Sequence, residues 1–181
     1  MALFAGISPE TLQKARRVKL LLLDVDGVLT DGGLTYSESG EQTKRFNTLD
    51  GHGLKLLQAI GIHVAVVSGR DSAALRKRLS DLGIVHIYAG VQNKRTAADD
   101  LLQVLGLNWS QVAAMGDDWP DLPMLMPAAF SCAPPHAHAE VLSRVDWVST
   151  KSAGHGAVRE LCDLLLQAGE IYDDAVKKAL L

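Results

Sequence analysis

The chain has 181 residues, of which 48% are apolar, 5% aromatic and 22% charged, with a net charge of −3. Such a composition excludes a disordered or fibrous protein, and the acidic balance speaks against a dedicated nucleic-acid binder. No apolar run approaches the roughly 20 residues that span a bilayer, and the first residues show no basic stretch followed by an apolar one. Cys132 and Cys162 form neither a disulfide framework nor a zinc pattern, so the expected setting is a reducing cytoplasm.

In chain order, Ser8 and Pro9 predict a capped helix running to Arg17. Residues 18–25 read as a buried strand ending in acidic residues and Gly27. Residues 34–37 and 41–46 flank Glu38-Ser39-Gly40, the signature of a β-hairpin. Asp50 heads a helix reaching Ile60, with Leu54, Leu57 and Ile60 on one face and Gly61 at its end. The same rhythm then repeats, with strands over 62–67, 84–88, 112–115, 130–133 and 146–148. Helices are expected over 71–82, 94–105, 120–126, 136–143 and 157–168, and a helical tail from Glu170. Strands that alternate with helices build a parallel sheet with right-handed crossovers. The expected fold is an α/β, Rossmann-like three-layer sandwich, with a mostly parallel sheet and a small hairpin flap at 32–47. It forms one domain over 1–181.

In such sheets ligands bind beyond the carboxyl ends of the strands. The first strand is followed by Asp24-Val25-Asp26-Gly27, and the second by Ser68-Gly69-Arg70. Asn93-Lys94 opens a helix, and Gly116-Asp117-Asp118 with Asp121 follows the fourth strand. Clustered carboxylates repel one another unless a cation sits among them, and hard oxygens of this kind suit Mg²⁺. An ionised carboxylate needs no base to attack phosphorus. Asp26, two residues beyond Asp24 on the same side of an extended chain, is placed to protonate a departing alcohol and later to activate water. Ser68 can donate a hydrogen bond to a phosphoryl oxygen and Lys94 can offset its charge.

These four segments resemble, in order and position, the motifs of the haloacid dehalogenase superfamily. The resemblance implies Asp24 as nucleophile, Asp26 as general acid and base, and Mg²⁺ held by Asp24, the backbone carbonyl of Asp26, and Asp117. Asp118 and Asp121 take supporting roles. Residues 27–67 hold only the hairpin and a helix, and 69–93 one helix and a strand, so no cap domain covers the site. An open site excludes water poorly. It calls for a large substrate or for a neighbouring subunit, and the hairpin is a candidate contact.

The whole chain further resembles one capless branch, the 3-deoxy-D-manno-octulosonate 8-phosphate phosphatases. Its matching stretches are 24–31, Phe46-Asn47, Asp50-Gly51 with Gly53, Gly69-Arg70, and Gly154 with 156–160. That resemblance implies a Mg²⁺-dependent homotetramer acting on a small phosphorylated sugar acid in lipopolysaccharide sugar synthesis. Asn47, Gly69, Arg70 and His155, with Asp26, would face the substrate. The branch usually carries Arg where Leu49 and His155 stand here, and an arginine there would pair bidentately with a sugar carboxylate. A nonulosonate 9-phosphate therefore remains an alternative substrate, and a phosphoprotein or a non-catalytic role on the same fold are alternatives of other kinds.

Beside these readings, His63 and His86 read as structural, His136 and His138 as surface, and Trp109, Trp119 and Trp147 as packing. Leu161, Leu164 and Leu165 read as a core stripe.

Overall fold

The computed structural model describes residues 7–180. Residues 1–6 and 181, the ends of the expected 1–181 domain, lie outside the described residues.

β1 (Leu20–Leu23) is the centre of the molecule, flanked in parallel by β4 (His63–Ser68) and β6 (Val112–Met115). Beyond these lie β5 (His86–Ala89) on one side, and β7 (Phe130–Ala133) and β8 (Trp147–Val148) on the other. All adjacent pairs are parallel, in the order β5-β4-β1-β6-β7-β8. A strand covered on both faces must be apolar throughout rather than alternating, and Leu20 to Leu23 are all fully buried. Leu21 and Leu23 pack beneath α1 (Pro9–Arg16), α2 (Thr48–Ala59), α3 (Ala73–Asp81) and α7 (Ala157–Ala168). Leu20 and Leu22 face α4 (Lys94–Leu105), α5 (Leu122–Leu125) and α6 (Ala139–Leu142). Each such leucine contributes roughly 1.5–3 kcal/mol by leaving water. The three layers and the parallel sheet agree with the expected fold.

The connections from β1 run first toward β5 and later toward β8, so the strand order reverses between β1 and β6. That reversal opens a crevice at the carboxyl ends of these two strands. Between β1 and β4 the chain carries only α2 and an antiparallel ribbon, β2 (Thr35–Ser37) and β3 (Gly40–Thr43). No cap domain is found among the described residues. All of β2 is exposed. The tail forms α8 (Tyr172–Ala179). No helix among the described residues is long and apolar enough to cross a membrane.

Several elements are shorter than expected. The first strand stops at Leu23, because the chain then curls around the Val25 carbonyl, which accepts the N–H groups of Val28, Leu29 and Thr30 at 3.2, 2.9 and 3.0 Å. The helix expected over 136–143 narrows to α6, since the Pro134-Pro135 pair and the following turn delay its start. The segment expected at 120–126 begins as a 3-10 turn at Trp119–Asp121 before α5.

Candidate active site

The parallel register fixes the site. Leu23 pairs with Val66 on one side and Met115 on the other, so Asp24, Ser68 and Asp117 emerge at one edge of the sheet. Gly27 has φ +89°, and a Cβ there would stand 2.2 Å from Asp117 Oδ2. Only glycine both adopts this backbone and lets the first loop lie against the fourth.

Lys94 begins α4, whose N-cap is Asn93. Its side chain runs inward, 7% exposed, and its ammonium donates to Asp24 Oδ1 and to Asp121 Oδ1, each at 2.5 Å. The other oxygen of Asp121 accepts the backbone N–H groups of Asp117 and Asp118 at 2.9 and 3.2 Å. Asp121 thus ties the last loop to Lys94, and Asp118 caps the 3-10 turn through the Trp119 N–H at 2.8 Å. Ser68 is buried, and its Oγ accepts the Arg70 N–H at 3.2 Å.

Oxygens of Asp24, Asp117 and Asp121 lie within 4.8 Å of one another. Three carboxylates share one ammonium, and the electrostatics register the excess. Burial, then the Asp121 charge, raise Asp24 to about 6 against the pull of Lys94. Burial and the charges of Asp121, Asp24 and Asp118 raise Asp117 to about 7. Burial alone would lower Lys94, but Asp24 and Asp121 carry it above its ordinary value, so it stays charged. Such a centre suits a hard divalent cation. With both Asp121 oxygens already engaged, Asp24 and Asp117 are the carboxylates open to one.

Asp26 lies at the rim. Its Oδ1 accepts from Lys44 at 2.5 Å, and Arg70 Nε stands 3.7 Å from its Oδ2. The Arg70 guanidinium also donates to the Tyr36 hydroxyl on the ribbon. Gly69 is exposed and meets little, the nearest atom to an added Cβ being Val91 O at 3.8 Å.

The remaining sequence-predicted residues form a second group. Asn47 caps α2 through the Leu49 N–H at 2.8 Å, and its Nδ2 donates to Gly154 O at 3.3 Å. His155 is exposed, with Nε2 3.2 Å from an Arg45 guanidinium nitrogen, and Arg45 pairs with Asp31 at 2.6 Å. The two groups are joined through the loop after β1, where Gly154 N–H donates to Val28 O at 3.1 Å.

Lys44 and Arg45 were not anticipated. The signal available was a basic pair leaving the hairpin, one side chain turning to Asp26 and the next to His155. His63 and His86 sit at strand starts, away from the crevice, with rings 5.8 Å apart. Trp119 departs from the expected packing role. It is 59% exposed, and its Nε1 donates to His138 Nδ1 at 2.9 Å. A hollow of about 420 Å³ under α8, lined largely by apolar side chains such as Leu56, Ile60 and Leu166, touches none of the strand-end residues.

Against known proteins, the sequence profile of one family, described as haloacid dehalogenase-like hydrolase, matches residues 79–161. The 3-deoxy-D-manno-octulosonate 8-phosphate phosphatase KdsC of Salmonella typhimurium is 41% identical over 172 residues, which cover 95% of this chain and 92% of that one. The enzyme of the same name from Haemophilus influenzae is 43% identical over 166 residues, 90% of this chain and 92% of that one. The crystal structure of the phosphatase of that name from Moraxella catarrhalis, in complex with magnesium ion, phosphate ion and KDO, superposes with a TM-score of 0.91. It is 40% identical and covers 93% of this chain and 97% of that one.

Proposed function

As the chain belongs to the haloacid dehalogenase-like hydrolases, in the branch of the 3-deoxy-D-manno-octulosonate 8-phosphate phosphatases, we infer that it hydrolyses that sugar phosphate to the free sugar acid and inorganic phosphate. We read the chain as one phosphatase domain serving lipopolysaccharide sugar synthesis. The observation that carries the chemistry is the cluster of Asp24, Asp117 and Asp121 at the strand-order reversal, with the Lys94 ammonium paired to the buried Asp24 and Asp121.

In this reading Asp24 attacks phosphorus, and the bond between phosphorus and the sugar oxygen breaks. Asp26 gives that oxygen its proton, leaving a phosphorylated Asp24 and the free sugar acid. Asp26 then takes a proton from water as the water attacks the phosphoryl group, which frees phosphate and restores Asp24. Lys94 holds Asp24 in place and, with Ser68, meets the charge on the phosphoryl oxygens. Magnesium held by Asp24, Asp117 and the Asp26 carbonyl supplies the positive charge that lets two anions meet. Asn47, Gly69, Arg70 and His155 line the side from which the sugar arrives.

The crevice is open, and the exposed β2 pairs with β3 in a ribbon that, among the described residues, has two unpaired edges. A two-stranded ribbon is marginal alone. We take it as the contact through which four copies assemble and cover one another's sites. The two free, buried thiols of Cys132 and Cys162 support a cytoplasmic setting.

The test is phosphate release from 3-deoxy-D-manno-octulosonate 8-phosphate, nonulosonate 9-phosphates and hexose phosphates, each with Mg²⁺ and with chelator. The expected result is Mg²⁺-dependent release with strong preference for the octulosonate. Preference for the nine-carbon acids would instead make Leu49 and His155 the marks of a changed specificity. No release from any of them would overturn the phosphatase reading.

A further inference from the structure

Lys44 is an unusual residue for its place. Its neighbours Thr43 and Arg45 are exposed, as is β2 across the ribbon, yet its own side chain is 2% exposed. Burying an ammonium is costly unless it is paired. Its ammonium donates to Asp26 Oδ1 at 2.5 Å. The other oxygen of that carboxyl, Oδ2, is buried and accepts no hydrogen bond, Arg70 Nε standing beyond bonding range at 3.7 Å. A buried carboxylate oxygen without a donor is rare unless something else is meant to meet it.

We propose that Lys44 is the positioning residue of Asp26, fixing the carboxyl so that Oδ2 is the oxygen that exchanges a proton with the leaving group. This rests on the reading of Asp26 as acid and base. An ammonium that donates to Oδ1 excludes a proton from that oxygen and stops the carboxyl from rotating about its Cβ–Cγ bond. The proton given to the sugar oxygen therefore leaves from Oδ2, and the proton later taken from water arrives there. Because Lys44 directly follows the second strand of the ribbon, the seating of the ribbon and the readiness of the acid become one variable. Tyr36, bonded to the same Arg70 that approaches Asp26, joins the ribbon to this carboxyl a second time.

A lysine that merely pins the ribbon down would affect the first chemical step of all substrates alike, whereas one that orients the acid matters in that step only when the leaving group needs a proton, the later attack of water being common to every substrate. The sugar alkoxide needs one, and the p-nitrophenolate of p-nitrophenyl phosphate does not. Lys44→Met, checked for fold by circular dichroism, is expected to lower kcat on the sugar phosphate by roughly 10²-fold. Its dissociation constant for the sugar phosphate, and its rate of p-nitrophenolate release in the first turnover, should stay close to those of the unaltered protein. Lys44→Arg should restore most of the loss, and Lys44→Met should add nothing in an Asp26→Asn background. Equal losses in the first turnover of the two substrates, or a further loss in the Asp26→Asn background, would overturn the proposal. If Asp26→Asn itself fails to discriminate between the substrates in the first turnover, the reading of Asp26 falls instead. Where Lys44→Met does not fold, Lys44→Gln carries the same comparison, with the same outcomes deciding it.

Discussion

Asp24, the proposed nucleophile, is electrostatically crowded, since it shares a single ammonium with Asp121 while Asp117 stands close by. Asp24→Asn removes the nucleophile and, with it, one of three crowded negative charges. Turnover should fall by roughly 10³-fold or more. The metal-free variant should melt no lower than the unaltered protein, because Lys94 keeps Asp121 as partner and the repulsion is relieved. Phosphate-release assays and thermal melts check the two halves. Asp24, Ser68, Lys94 and Asp117 were legible in the sequence because each lies where a strand ends or a helix begins, so local pattern alone locates it. Lys44 and Arg45 were not, because what gives them meaning lies far off along the chain. Lys44 acts on a carboxylate 18 residues earlier and Arg45 meets a ring 110 residues later.

The elements hold this centre through one close contact in particular. α2 lies against α7 at Gly53, where an added Cβ would sit 2.9 Å from Cys162 Cβ and 3.0 Å from Arg159 Cδ. One turn earlier the buried Asp50 accepts the Arg159 N–H at 2.8 Å, joining the N-terminal ends of the two helices. Burial raises Asp50 above the ordinary carboxylate range. Gly53→Val should push the helices apart and destabilise the fold by about 1–3 kcal/mol, readable in denaturant melts. The strand and helix pattern was readable because buried parallel strands are continuous apolar runs. The ends of elements were not, because they are set by hydrogen bonds such as those gathered on the Val25 carbonyl, which leave no periodic trace. The contact at Gly53 was equally silent, since a glycine inside a helix announces only a missing side chain.

For the whole molecule the excess of buried carboxylates ties stability to protons and to metal. Asp24 and Asp117 titrate in the folded protein at about 6 and about 7, against a model-peptide value of 3.8. A raised carboxyl value means that the folded state binds more protons than the unfolded chain in this window. These groups therefore favour folding at low pH, and that contribution is lost as pH climbs through their folded values. A divalent cation competes with those protons for the same oxygens. The rise in melting temperature produced by Mg²⁺ should therefore grow between about pH 5 and about pH 8 and vanish with chelator. A rise independent of pH across that range would show that these two carboxyls do not bind the ion. The overall architecture was legible in the alternation of elements, and so was the lack of a cap, from the short spans between the motifs. The charge imbalance of the centre was legible only in outline, because its size depends on how deeply the fold buries each acid.

The proposed nucleophile and the proposed acid differ in the ground they stand on. Asp24 follows β1, whose backbone is bonded on both sides and whose side chains are fully buried, so its amides should exchange with solvent only when the entire molecule opens. Asp26 accepts from Lys44, which directly follows a two-stranded ribbon whose first strand is exposed, and the amides of such a ribbon should exchange early. The proposed catalytic pair would thus join a slow-opening part of the chain to a fast-opening one. On the proposed mechanism, the bond to phosphorus would be formed by a group that holds its place for as long as the protein is folded. The release of the sugar would depend on a group supported from beside the ribbon.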